Sequence, residues 1–300
     1  MKINPVVFSV VITVYNKEKY IYESLKSTCA QLLKPAEIIV VNDGSTDDSL
    51  QEITKVNDAR IRVFTIENKG VSNARNFGAK QTKGTHIAFL DGDDLWLENH
   101  LEEIHKMICL FPEESIYALG TSYEKEEKLI EHVYAVSNNQ AKRVDYFNAS
   151  LHHSILHPSS FVVVAELYSQ LGGFDIRYTN YEDVEFWFRL GLKYPIVFSS
   201  KKTVLLRAAE NSLSKNKVCL NSYCFFEDYD HVQTNNKAFY RILDLNRYSL
   251  ALICKENKER EKFKILYAKI DGKHLSFRKK IFLKLPSFVI TGLKKIKERL

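Results

Sequence analysis

Paired cysteines are missing from this chain of 300 residues. Its five cysteines, Cys29, Cys109, Cys219, Cys224 and Cys254, are odd in number and scattered, and none forms Cys-x-x-Cys. That spacing excludes a disulfide framework and a cysteine-based zinc site, and it fits reduced thiols in a cytoplasmic setting. Long apolar runs are missing too. No stretch approaches the roughly 18 residues that a membrane-spanning helix needs, so no transmembrane helix is expected. The run Val6–Val14 follows Lys2 and faintly mimics a signal peptide. It is short, lacks a small-residue cleavage site and leads straight into Tyr15-Asn16-Lys17-Glu18, so it reads as a first strand. No Gly-x-Gly-x-x-Gly follows that run and no Gly-x-x-x-x-Gly-Lys-Ser/Thr occurs, which excludes the glycine cradles of dinucleotide and triphosphate sites. Internal repeats and low-complexity linkers are absent as well.

A hydrophobic content of 45% supplies a sizeable core. The net charge of +6 is unevenly spread. Residues 273–300 hold nine Lys or Arg against one acid, a net +8, which leaves −2 for everything before them. The chain is a near-neutral globule with a basic tail, and with no nucleic-acid motif present that balance argues against nucleic-acid binding.

Strand and helix alternate through the first hundred residues. Strands are expected at Val7–Val14, Glu37–Val41, Ile61–Ile66 and Thr85–Leu90. Between them, Tyr20, Ile21, Leu25, Cys29 and Leu32 recur at helical spacing, and helices are expected at Ser49–Lys55 and Val71–Gln81. This alternation implies right-handed βαβ units and a mostly parallel sheet covered on both faces. The middle is less regular. It reads as a helix Leu97–Leu110, strands Ile116–Tyr123 and Leu129–Val136, a helix Val144–Leu151 and a strand Ser159–Val164. A helix then opens at Glu182-Asp183, with Val184, Trp187 and Phe188 as a core face. No element is assigned between Pro195 and Lys215. Polar helical segments run from Lys215 to Lys269, and beyond Pro286 the residues Val289, Leu293, Ile296 and Leu300 share one helical face. The expected organisation is a domain over 1–212, with a nucleotide-binding half 1–97 and an acceptor half 98–212, followed by a helical extension 213–300.

The chain is organised around Asp91-Gly92-Asp93-Asp94. Carboxylates this crowded repel one another unless a cation sits among them, and the fitting cation is a hard divalent ion such as Mg²⁺ or Mn²⁺. The alternative is a solvated acidic turn. Ligands of a parallel sheet bind beyond the carboxyl ends of its strands. Thr13-Val14-Tyr15-Asn16, Asn42-Asp43-Gly44-Ser45 and Asp91–Asp94 all lie at such ends, so three polar clusters are expected to converge on one crevice.

Six motifs in order then resemble family 2 glycosyltransferases of the A-type fold. They are Ser9–Asn16, Val41–Asp47, Asn68–Asn76, Phe89–Asp94, Gly172-Gly173-Phe174-Asp175 and Glu182-Asp183. The resemblance covers roughly residues 7–210. It implies a Rossmann-like, mostly parallel α/β sheet flanked by helices, and an inverting transfer of sugar from a nucleotide donor, usually a UDP-sugar, to a glycan or lipid-linked acceptor. It implies that Thr13, Tyr15 and Asp43 hold the nucleotide base and that Arg75 faces the nucleotide. Asp93 matches the direct ligand of Mn²⁺ or Mg²⁺, and Asp91 approaches the ribose or the metal shell. Asp183 matches the catalytic base, with Glu182 and Trp187 on the acceptor side. Alone, Glu182 and Asp183 read equally as acids favoured in a first helical turn. His157 reads either as an acceptor-side residue or as a structural histidine beside the sheet.

These roles are physically consistent. A departing nucleoside diphosphate gathers negative charge that a divalent ion stabilises as a Lewis acid. A carboxylate across the sugar can take the acceptor hydroxyl proton, and a base beside other acids has a raised proton affinity. One departure stands out. Family members often carry Arg-x-His-x-x-Ser near the end of this domain, whereas here Ala209 takes the histidine's place in Leu206–Ser212. The expectation is weaker metal binding, or a diphosphate held by Arg207, Lys215 or Lys217. A sugar nucleotidyltransferase would need a Gly-rich basic loop after the first strand, which is lacking. A catalytically weak scaffold that binds nucleotide sugars is the other reading. The basic tail fits either a helix lying on an anionic membrane or a solvated helix packed on the main domain.

Overall fold

A computed structural model describes residues 5–125, 128–136, 139–207, 220–287 and 289–290. Backbone contacts divide the chain into two compact units, 1–216 and 217–300. The domain boundary expected between 212 and 213 lies outside the described residues.

The first unit is built on one sheet. Its strands are β1 (Phe8–Val14), β2 (Glu37–Asp43), β3 (Ile61–Ile66), β4 (His86–Asp91), β5 (Leu95–Trp96), β6 (Ile116–Lys125), β7 (Lys128–Glu131), β8 (Lys142–Val144), β9 (Phe161–Val164) and β10 (Ile196–Arg207). The main order is β3-β2-β1-β4-β9-β6-β10-β5, with β7 paired to β6 and β8 to β10. Strands β3, β2, β1 and β4 run parallel, and so do β6 and β10. Strand β9 runs opposite to both of its neighbours. Helices α1 (Ile21–Cys29), α2 (Ser49–Thr54), α3 (Val71–Lys80), α4 (His100–Leu110), α5 (Tyr146–Ala149), α6 (Ala165–Gln170) and α7 (Glu182–Gly191) complete the unit. The central strands explain their own sequences. Every residue of β1 and β2 is buried, as expected of strands covered on both faces, whereas edge strand β3 alternates.

Register brings the expected ends together. Thr13 of β1 stands opposite both Val41 of β2 and Asp91 of β4, and Val14 stands opposite Asn42. Helix α3 reaches this sheet through Gly78. A Cβ on Gly78 would lie 2.4 Å from Val11 Cγ1 and 3.1 Å from Val41 Cγ2, so only hydrogen allows the approach.

The structure departs from the sequence reading on the far side of the sheet. The twelve-residue β10 falls where no element is assigned. Its apolar ends, Ile196–Phe198 and Val204–Leu206, are split by Ser199-Ser200-Lys201-Lys202-Thr203, where its register against β6 shifts twice. A bulge therefore interrupts the apolar pattern that marks a strand. Helix α4 begins at His100 rather than Leu97, because Leu95 and Trp96 pair with β10 as β5. The second strand of the 116–136 hairpin is shorter than expected and ends at Glu131.

The second unit holds α8 (Lys237–Glu256), α9 (Arg260–Lys269) and α10 (Phe277–Lys284). Asn236 caps α8 by accepting from the N–H groups of Ala238 and Phe239. Buried Asp244 meets His274 Nδ1 at 2.6 Å, and Arg247 pairs with Asp230 at 2.6 Å, so polar contacts tie α8 to the segments before and after the helices. The amphipathic segment expected beyond Pro286 lies mostly outside the described residues, including Leu293, Ile296 and Leu300.

Gly78→Ala tests the helix–sheet approach. The added methyl overpacks Val11, and overpacking of this kind costs about 1–3 kcal/mol. A lower urea midpoint with an unchanged slope is the expected outcome.

Candidate active site

A cleft of about 680 Å³ opens at the carboxyl ends of β1, β2 and β4. One wall, at the strand ends, carries Thr13, Tyr15, Asp43, Asp91 and Asp93, and residues 157–184 add His157, Glu182 and Asp183. Arg75 reaches it from α3.

The acid cluster resolves its repulsion three ways. Asp91 accepts from Arg75 Nη2 at 2.8 Å, and Thr13 Oγ1 lies 3.4 Å from the same oxygen. Burial pushes the Asp91 carboxyl up, but Arg75 and then His157 outweigh it and hold Asp91 below the usual carboxylate range. Asp93 pairs with Lys17 Nζ at 2.6 Å. Among the described residues Asp94 has no Lys or Arg partner, and His157 Nδ1 lies 4.0 Å from it. Burial, then Asp93 and Asp91, drive its titration well above the ordinary carboxyl value. It accepts from Ser159 Oγ at 2.5 Å and from the Arg207 N–H at 3.2 Å, so it is a structural acid inside the loop. Gly92 lets the loop touch the sheet, since a Cβ there would lie 2.9 Å from Thr13 O.

Arg75 joins the two walls. Its guanidinium is 4% exposed, donates to Glu182 Oε1 at 3.2 Å as well as to Asp91, and lies 4.9 Å over the Phe174 ring. Its Nε has no partner. Phe174 is fixed by Asn76, whose amide donates to Phe174 O at 2.7 Å and accepts from Phe174 N at 2.9 Å. Two of the six sequence motifs are thus one physical unit. Gly173 is required there, with φ +71° and a hypothetical Cβ 2.2 Å from Asn76 Oδ1.

Asp43 is almost fully buried and accepts from the N–H groups of Lys69 and Gly70 at 3.1 and 3.0 Å. Burial raises its proton affinity, partly offset by those two bonds. Across the cleft, Tyr181 adopts the left-handed conformation (φ 62°) and turns the chain into α7, which puts Glu182 and Asp183 at the helix start. Burial, then Asp183, push the Glu182 carboxyl up to about 7, against the pull of Arg75. His157 accepts from the Ser159 N–H at Nδ1, 3.2 Å away, which fixes its proton on Nε2. Burial lowers its titration, with Asp91 and Asp183 opposing.

Two expectations fail on geometry. Trp187 is 1% exposed and packs edge-to-face on Phe161 at 4.7 Å, away from the cleft. A tryptophan on the apolar face of an amphipathic helix is drawn into the core, so it is not an acceptor residue here. Arg207 is not free for a diphosphate. It donates to Asp93 O, Tyr20 O at 3.2 Å and Ser24 Oγ at 3.1 Å, pairs with Glu23 and lies 5.1 Å over the Tyr20 ring. Ala209, Lys215 and Lys217 lie outside the described residues. Sequence reasoning also missed Lys17, although it directly follows the Ser9–Asn16 motif.

The donor set suits a divalent ion. Asp91, Asp94 and His157 present ligand atoms within 4.8 Å of one another, and Asp93 stands on the same loop. Hard carboxylate oxygens are the donors that Mg²⁺ or Mn²⁺ prefers. His157 fits less well, because its lone pair already receives the Ser159 N–H.

Comparison with known proteins agrees with this geometry. The profile of Glycosyl transferase family 2 matches residues 9–172. An uncharacterized glycosyltransferase of Rickettsia typhi is 30% identical over 228 residues, 74% of this chain and 69% of that protein. The Escherichia coli UDP-Glc:alpha-D-GlcNAc-diphosphoundecaprenol beta-1,3-glucosyltransferase WfaP is 42% identical over 103 residues, 33% of this chain and 40% of that protein. Among solved structures, S. aureus TarS 1-349 in complex with UDP superposes with TM-score 0.58 at 25% identity, over 68% of this chain and 61% of that one. The TarS complex with UDP-GlcNAc gives TM-score 0.63 at 21% identity, over 92% and 78%. A parallel sheet with an acidic rim, an arginine bridging to an opposed Glu-Asp pair, and a profile match over more than half its length identify the chain as a member of glycosyl transferase family 2.

Proposed function

We propose that this glycosyltransferase moves a sugar from a UDP-sugar to a hydroxyl of a lipid-linked or polymeric glycan, inverting the anomeric centre. One observation carries the reading: Asp183 and the Asp91–Asp93 rim line the same cleft. The nucleotide half is 1–97 and the acceptor half 98–212, in keeping with the cleft being lined by residues 13–93 and 157–184. UDP as carrier is supported by the nucleotides bound in the TarS complexes and by the donor in the name of WfaP. That name also supports a diphosphoundecaprenol-linked acceptor and hence a role in cell-surface polysaccharide synthesis.

In this mechanism Thr13, Tyr15 and Asp43 bind the uracil end of the donor. Arg75 positions Asp91 and Glu182, which the structure places on either side of it. Asp183 accepts the proton of the acceptor hydroxyl as its oxygen attacks, and no enzyme nucleophile intervenes. His157 donates from Nε2 toward the sugar or acceptor. Asp93 and Asp91 would hold Mn²⁺ or Mg²⁺, and a bound ion would supply Lewis-acid stabilisation of the departing diphosphate.

No helix among the described residues is long and apolar enough to cross a membrane. We place the protein in the cytoplasm, on the inner membrane surface where a lipid-linked acceptor is presented. The basic tail and α10 support this, since Phe277 (77% exposed) and Ile281 (41%) stand beside exposed Arg278, Lys280 and Lys284.

Three outcomes test the reading. Asp183→Asn lowers the rate of transfer from UDP-sugar by about 10²–10⁴-fold while UDP binding, read by calorimetry, is retained. Unchanged turnover removes Asp183 as the base, and UDP binding without turnover in the wild type identifies a scaffold. Glu182 keeps its proton longer in the folded state, so its contribution to stability is full below its ordinary value and lost as pH rises through about 7. The melting temperature of wild type relative to Glu182→Gln therefore falls between about pH 5 and about pH 8. Finally, Phe277→Ser with Ile281→Ser abolishes co-sedimentation with vesicles rich in anionic lipid, while zwitterionic vesicles bind neither form.

A further inference from the structure

We infer that Lys17 is a resident counter-ion of Asp93 that yields this carboxylate to a divalent ion only when a donor diphosphate takes over its ammonium group. The inference rests on the reading of the cleft as a metal-assisted sugar-nucleotide site, and it adds a coupling between the two ligands.

The chain is built to aim Lys17. Asn16 is left-handed at φ 52°, a conformation rarely adopted by residues other than glycine. It is held there on both sides. Asn16 N donates to Ser45 Oγ at 3.0 Å, and Thr46 N donates to Asn16 Oδ1 at 2.8 Å. Lys17 N donates to Ser49 Oγ at 2.7 Å, and Glu18 N donates to Asp47 Oδ2 at 3.1 Å. The turn after β2 thus grips the segment after β1 and points the Lys17 side chain along the acidic rim. Both partners of the Lys17–Asp93 pair are largely buried, at 14% and 16% exposed, and both line the cleft.

Charge accounting gives the pair its meaning. Among the described residues lining the cleft, the Lys and Arg side chains are Lys17 and Arg75. Arg75 is bound by Asp91 and Glu182 and stacked on Phe174, so it cannot re-partner. Lys17 has one partner, on a flexible four-carbon stem with rotatable donors. A divalent ion arriving alone at Asp93 displaces the ammonium and leaves it uncompensated in a partly dry cleft. A diphosphate arriving with the ion offers new oxygens within the same space. Metal and nucleotide therefore assist each other's binding, and the coupling is reciprocal.

The test measures free Mn²⁺ by electron paramagnetic resonance, with and without UDP, for wild type, Lys17→Met, Lys17→Gln and Asp93→Asn. Both Lys17 variants are expected to bind Mn²⁺ alone roughly tenfold more tightly than wild type, and to lose a similar factor from the UDP-induced gain in Mn²⁺ affinity. Mn²⁺ affinity unchanged in both Lys17 variants, or an unchanged gain on adding UDP, overturns the inference. Wild-type Mn²⁺ affinity in Asp93→Asn would instead remove Asp93 from the metal site, a failure of the underlying reading that the Lys17 variants alone do not produce.

Discussion

The buried guanidinium of Arg75 is the contact on which the rest of the cleft depends. It bonds Asp91 on the sheet and Glu182 on α7, so it neutralises one acid on each wall and fixes the distance between them. A charge this deeply buried is tolerable only with both partners in place, and breaking such a set by removing one member costs about 3–5 kcal/mol. Phe174 below it and Asn76 beside it exist, in physical terms, to keep that guanidinium flat and in place. The same logic runs along the acid loop, where each carboxyl meets a different partner: a guanidinium for Asp91, an ammonium for Asp93, and the Ser159 hydroxyl with the Arg207 N–H for Asp94.

The first half of the fold was legible because it obeys simple periodicity. Strands β1, β2 and β4 are short apolar runs that end in Thr13, Asn42 and Asp91, and parallel pairing puts those ends side by side. The convergence of those polar ends on one cleft follows directly. Asp183 and Glu182 were legible as a motif, although only the left-handed Tyr181 explains how they turn toward the cleft.

What was not legible depends on contacts between distant residues. Strand β10 is hidden by its bulge, since five polar residues split its apolar signal. The burial of Trp187 depends on Phe161 and Phe174, which approach only once the sheet and α7 have docked. Arg207 reads as a free base in sequence and is spent in space on α1 and the acid loop. Lys17 carries no signature of its own; its role lies in the turn that aims it.

The reversed strand β9 has a consequence for how such a chain can diversify. It lies between two blocks of parallel strands and bonds to both, through Ile87–Val163 on one flank and Tyr117–Val162 on the other. It works as a splice between the block that ends in Asp43 and Asp91 and the block formed by β6 and β10. Because main-chain hydrogen bonding across a splice is indifferent to side-chain identity, side chains of the second block can change without unseating the first.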